Sequence, residues 1–90
     1  RDYTRVLSID PDYVNAYINR GNAYSKLGRY QDAIRDYNRA LSIDPDYALA
    51  YYNRGVSKGK LGIYNCDDYL KACQLGNQVG CDNYSNSCTD

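Results

Sequence analysis

The sequence contains no histidine, methionine, tryptophan or phenylalanine. Without histidine, neither a Ser–His nor a Cys–His nucleophile pair can be assembled. No glycine-rich phosphate loop follows a strand, and no C-x-x-C pair suggests a zinc site. Charge of neither sign is in excess, since eleven lysines and arginines balance eleven acids. That balance removes the electrostatic case for nucleic acid or an anionic membrane as partner. No apolar run approaches the roughly 20 residues of a membrane span, and no apolar signal peptide is present. The chain therefore reads as non-enzymatic, without cofactor or metal. It lacks an initiator methionine and is expected to be a processed product, an excised fragment or part of something longer.

What is present is tyrosine and repetition. Twelve tyrosines supply all the aromatic bulk of a 90-residue chain, and many of those hydroxyls must reach water or a partner. A chain of that length makes one small domain with a modest core. Residues 1–30 laid over 35–64 give twenty identities at a spacing of 34. Self-similarity at this period is the mark of a repeat architecture.

Inside each unit the pattern is helical. Tyr30, Ala33, Ile34, Tyr37, Ala40 and Leu41 recur at steps of three and four, which draws one apolar stripe over Tyr30–Ile43. Asp44-Pro45 stops it, because proline pushes its predecessor out of the helical region. A second stripe runs through Ala16, Tyr17, Gly21, Tyr24 and Leu27, and Gly28 ends it as a left-handed cap. Two antiparallel helices per unit cannot bury their faces without a stacked neighbour. The fold class expected is all-α, an α-solenoid of antiparallel helix pairs with a C-terminal capping helix.

The stretch Val14–Tyr47 resembles the tetratricopeptide repeat family. Tyr17 stands where that family has a large aromatic, Gly21 at the close helix crossing, then Tyr24, Ala33, Tyr37 and Ala40 in order, with Pro45 at the turn. The resemblance covers roughly residues 1–75 and implies a scaffold for peptides or partner proteins. On this reading residues 1–13 are the second helix of an incomplete repeat and 14–47 a full repeat. Residues 48–76 are a shortened, degenerate repeat, and 77–90 a disulfide-linked capping helix and tail. Degeneration shows in Lys58, where the family has tyrosine, and in Gly59, which costs a helix interior about 1 kcal/mol relative to alanine. The second helix of that unit is shorter by two residues, and Ala33 has no clear counterpart there.

Cys66, Cys73, Cys81 and Cys88 are spaced by seven, eight and seven. Seven residues are nearly two helical turns, so Cys66 and Cys73 share one face of a helix at Asn65–Leu75, and Cys81 and Cys88 one face of a helix at about Gln78–Ser87. Gly76-Asn77 supplies the turn. Of three possible connectivities, the nested one, Cys73–Cys81 with Cys66–Cys88, lets both helices run straight. The stretch "KACQLGNQVGC" also resembles the cysteine-stapled helix pairs of secreted bacterial relatives of this repeat. Bound zinc and free buried thiols are the alternatives. Bridges would place the protein outside a reducing cytoplasm, in an extracellular or periplasmic setting.

The paired carboxylates of Asp10-Pro11-Asp12 and Asp44-Pro45-Asp46 sit in repeat turns, where capping helices is their expected role. Asp67 and Asp68 lie near a helix start and suit its dipole. Asn83-Tyr84-Ser85 fits a glycosylation acceptor pattern, one common by chance. In the family the first helices of successive repeats line a concave groove. By register that wall is Asn15, Ile18, Asn22, Ser25 and Lys26, then Leu49, Tyr52, Val56 and Lys60. Asn22 and Asn53 match the asparagines with which some members clamp a peptide carboxylate, but Ile18 stands where that clamp requires lysine. The partner expected is a protein or peptide, with an extended, partly apolar segment in the groove. A second reading is an extracellular filament, in which Tyr3, Val6 and Leu7 meet the stapled cap of another copy head to tail.

Overall fold

A computed structural model describes residues 14–88. Over that range the chain forms five helices and no strand: α1 (Val14–Lys26), α2 (Tyr30–Ile43), α3 (Ala48–Lys60), α4 (Cys66–Gln74) and α5 (Gln78–Ser87). Each helix packs on the next, and α1 also meets α3, so the helices stack as a solenoid. The helix expected within residues 1–13 lies outside the described residues.

Three of the turns are built alike. Gly28, Gly62 and Gly76 take φ of 77°, 72° and 100°, a region that residues with a Cβ avoid. After each glycine the next N–H returns to a carbonyl in the last turn of the helix: Arg29 to Tyr24, Ile63 to Lys58 and Asn77 to Ala72, each at 2.9 Å. This is how a helix satisfies carbonyls that have no partner within it. One expectation fails here. Leu27, placed on the apolar stripe, is 72% exposed because α1 ends at Lys26 and the turn carries it outward. The Asp-Pro-Asp turn also differs from expectation. Tyr47, not an aspartate, is the N-cap of α3 and makes no side-chain cap bond. Asp44 instead accepts the Asp46 N–H at 3.2 Å and closes the turn on itself.

The core is small residues met by tyrosines. Ala16, Tyr17, Ile18, Ala33, Tyr37, Ala40, Leu41 and Ala50 form its buried cluster. Tyr37 lies so close over Gly21 that a Cβ there would sit 2.7 Å from its ring. The contact recurs one unit on, where a Cβ at Gly55 would sit 2.9 Å from Tyr69. Burying such a ring is worth roughly 2–3 kcal/mol.

Beside each tyrosine lies a buried aspartate held by an arginine. Arg20 Nε and Nη2 donate to the two carboxylate oxygens of Asp36, both at 2.7 Å. Arg54 repeats this toward Asp68 at 3.0 and 2.6 Å, and gives a third bond to Asn38 at 2.8 Å. Asp68 lies in the first turn of α4, as its expected place at the helix start implies, and is in addition an ion-pair residue, 3% exposed and 3.3 Å from Lys58 Nζ.

The matched contacts locate the two missing residues. Arg54 and Gly55 follow Arg20 and Gly21 by 34, whereas Asp68 and Tyr69 follow Asp36 and Tyr37 by 32. On the shorter spacing Asn65 takes the place of Ala33. Asn65 is the N-cap of α4, and its amide donates to the Gly55 carbonyl at 2.8 Å. A Cβ on Gly59 would lie 2.8 Å from that amide. Gly59 is thus the close approach that admits Asn65, which explains a glycine inside a helix.

Cys73 is bonded to Cys81 beside the α4–α5 turn, with Cα atoms 4.4 Å apart. Cys66 is bonded to Cys88 further out, at 5.7 Å. All four thiols are used, which displaces the zinc and free-thiol alternatives. Loops of this size predict about 2–3 kcal/mol per bridge, less for the outer one because the inner already shortens its loop.

Candidate functional site

Neighbouring α1 and α3 place side chains of both helices around one open recess of about 450 Å³. Asn22, Ser25 and Lys26 come from α1, Leu49, Asn53 and Val56 from α3, and Tyr37 reaches in from α2. At its centre Asn22 Oδ1 accepts two bonds, from Tyr37 Oη at 2.6 Å and from Asn53 Nδ2 at 3.1 Å. These bonds fix the orientation of both amides and leave the Asn22 Nδ2 hydrogens and the second Asn53 N–H available for a ligand. Burial and the neighbouring Asp36 charge push the Tyr37 phenol up to about 12. It stays a neutral donor at any physiological pH. Asp36 in turn holds the Arg20 guanidinium above its ordinary value, chiefly through their hydrogen bond.

Of the residues expected on the wall, the structure brings Asn22, Lys26, Leu49 and Val56 into the recess, and Ser25 with them. Leu49 is 41% exposed, an apolar surface open to a partner. Ile18 is a correction. It is 3% exposed and belongs to the core cluster, so it presents nothing to a ligand. Asn15 accepts from Tyr47 Oη at 3.1 Å at the edge of the unit. Tyr52 packs on Tyr69 with ring centroids 5.9 Å apart and meets Asn83 Nδ2 at 3.5 Å. Burial raises the Tyr69 phenol as well. Lys60 is exposed outside the recess. Tyr3, Val6 and Leu7 lie outside the described residues.

Tyr37 is the lining residue that sequence reasoning missed. Its place on the apolar stripe puts it in the core, where it lies, yet its hydroxyl ends in the recess. The signal was its spacing of fifteen from Asn22, across one helix turn-round, with a tyrosine too long for the glycine opposite it.

Among the described residues no helix is long and apolar enough to cross a membrane. Nor does any group of side chains among them have the makings of a metal site. A family model described as "TPR repeat" matches residues 21–62, and one described as "Tetratricopeptide repeat" matches residues 2–35. Among solved structures, the chain is similar to the first TPR of Spaghetti (RPAP3) bound to the HSP90 peptide SRMEEVD. The TM-score is 0.84 at 26% identity, over 93% of this chain and 72% of that one. It is also similar to the second TPR domain of human RPAP3 in complex with the HSP70 peptide SGPTIEEVD, with a TM-score of 0.87 at 28% identity, over 98% and 77%. MamA protein shares the fold, with a TM-score of 0.78 at 21% identity, over 98% of this chain and 46% of that one. No curated protein sequence matches the chain. The comparisons lend no support to a filament. The two repeat matches together span residues 2–62 and the similar folds extend over the rest, so the chain belongs to the tetratricopeptide repeat family.

Proposed function

We propose that this protein is a non-catalytic interaction scaffold that holds an extended segment of a partner protein in the recess between α1 and α3. The observation that carries the reading is the Tyr37–Asn22–Asn53 bond set beside Lys26. Oriented amide donors next to one ammonium suit the backbone carbonyls of an extended peptide and a single carboxylate. Leu49 and Val56 offer apolar contact for a side chain between them. The two peptides held by the similar RPAP3 domains both end in Glu-Glu-Val-Asp, which supports an acidic segment here. With Ile18 in the core, however, the recess has one cation among the described residues, Lys26, where a carboxylate clamp needs several. Binding therefore rests more on amide donors than on charge. The two disulfides suit an oxidising compartment, and we place the protein in an extracellular or periplasmic setting.

Nuclear magnetic resonance titration of the labelled chain with the nonapeptide SGPTIEEVD, a neutral analogue and a basic analogue tests this. The side-chain amide signals of Asn22 and Asn53 should shift saturably with the acidic and neutral peptides and not with the basic one. Equal shifts with all three, or shifts scattered away from α1 and α3, would reject the site.

A further inference from the structure

The helix α5 has little reason of its own to stay where it is. Only Gly80 among its residues is buried, and Val79 is 50% exposed. Its ten residues include Gly80, two asparagines and two serines, all weak helix formers, and helices this short are marginal alone. It docks chiefly on α4, where Gly80 lies against Ala72 so closely that a Cβ would be 2.8 Å from that methyl. A small residue on a small residue fits well but removes little apolar surface from water. The N-cap bond from Gly80 N–H to Asn77 Oδ1, at 2.7 Å, orders the first turn only.

By contrast, α4 is held independently of α5. Asp68 is gripped by Arg54, Tyr69 is seated on Gly55, and Asn65 is bonded to the Gly55 carbonyl. All four cysteines are only partly buried, so a small thiol can reach them. Through its docking α5 also brings Asn83 to Tyr52 of α3.

We infer that the two disulfides form a redox-controlled latch: oxidised, they hold α5 and its Asn83 against the end of the array; reduced, they release α5 while α1–α4 stay folded. A dithiol reductant supplies the chemistry. Its thiolate attacks one sulfur of a bridge, a mixed disulfide forms, and its second thiolate displaces the remaining protein thiolate. Each bridge gains two electrons and two protons and ends as two thiols, and the reductant closes into its own disulfide. The latch needs no groove ligand, so it stands or falls apart from the peptide reading.

Hydrogen exchange followed by mass spectrometry on the full chain, before and after dithiothreitol, tests it. Reduction should speed exchange in Gln78–Ser87 by at least about tenfold while Val14–Lys60 and Cys66–Gln74 keep their protection, the signature of local opening. Unchanged protection in α5 would overturn the inference, and so would a loss spread evenly over all five helices. A variant carrying Cys66→Ser and Cys88→Ser retains the inner bridge. It should exchange faster at the Ser87 end of α5 than at Gly80, without reductant. A profile identical to that of the parent would equally overturn the latch.

Discussion

Arg54 grips Asp68 through two hydrogen bonds, of 3.0 and 2.6 Å, and one unit earlier Arg20 grips Asp36 in the same way. The carboxylates are 3% and 1% exposed. A charge so placed is tolerable only while its partner is present. Arg54→Met should therefore cost about 3–5 kcal/mol by leaving the buried Asp68 carboxylate without its guanidinium. Replacing both partners, Arg54→Met with Asp68→Leu, should recover much of that loss. Urea unfolding of the two variants checks it, and equal destabilisation would show that the pair acts through something other than uncompensated charge.

Gly21 and Gly55 each lie directly under a tyrosine ring of the helix that follows. Alanine at either should raise helix propensity by about 1 kcal/mol. Its Cβ would nevertheless collide with the Tyr37 or Tyr69 ring at 2.7 or 2.9 Å. Overpacking of this kind typically costs about 1–3 kcal/mol, so the net change is a loss. Thermal unfolding of Gly21→Ala and Gly55→Ala measures it; a raised midpoint would mean that the rings step aside freely.

Ser57 gives a change of opposite sign. Its hydroxyl is buried with no hydrogen-bond partner among the described residues, and the residue is 1% exposed. Leaving a donor so placed costs about 1–3 kcal/mol, and Ser57→Ala removes it without changing the helix. The variant should be more stable than the parent by on the order of 1 kcal/mol, read as a higher urea midpoint with the same slope.

Tyr37 predicts the response to alkali. Below pH 10 its phenol is protonated in the folded and unfolded states alike, and its contribution to stability is constant. Above that the unfolded chain releases the proton while the folded chain holds it until about 12. Stability should fall as pH rises through this window, by on the order of 2 kcal/mol, and then level off. Tyr37→Phe should flatten the slope, leaving the smaller share from Tyr69, whose phenol is raised in the same direction. It should also lower the plateau by about 1 kcal/mol through the lost bond to Asn22. Unfolding curves at a series of pH values check both effects.

Much of the architecture is legible in the residues. Steps of three and four apolar positions mark α2 over its observed span, and the cysteine spacing marks both bridges. The reading of α5 as about Gln78–Ser87 agrees with the helix observed. These are local regularities, written in the spacing of neighbouring residues. The arginine–aspartate grips were harder to see. Their arginines recur at 34 and their aspartates at 32, so aligning the units at one spacing sets Asp36 against Leu70 and hides the pair. The repeated Asp-Tyr doublets at 36–37 and 68–69 were the available signal.

The sequence by itself determined that helices form in pairs, where they stop and which cysteines can meet, because periodicity, turn chemistry and covalent reach act over a few residues. Tertiary structure alone decided the depth of each side chain. Helical register assigns Ile18 and Asn22 to one direction, yet Ile18 enters the core while Asn22 bonds Tyr37 and Asn53 in the open recess. Depth depends on how closely the neighbouring helices approach. That distance is set by glycines and tyrosines fourteen and sixteen positions apart, which no local pattern records.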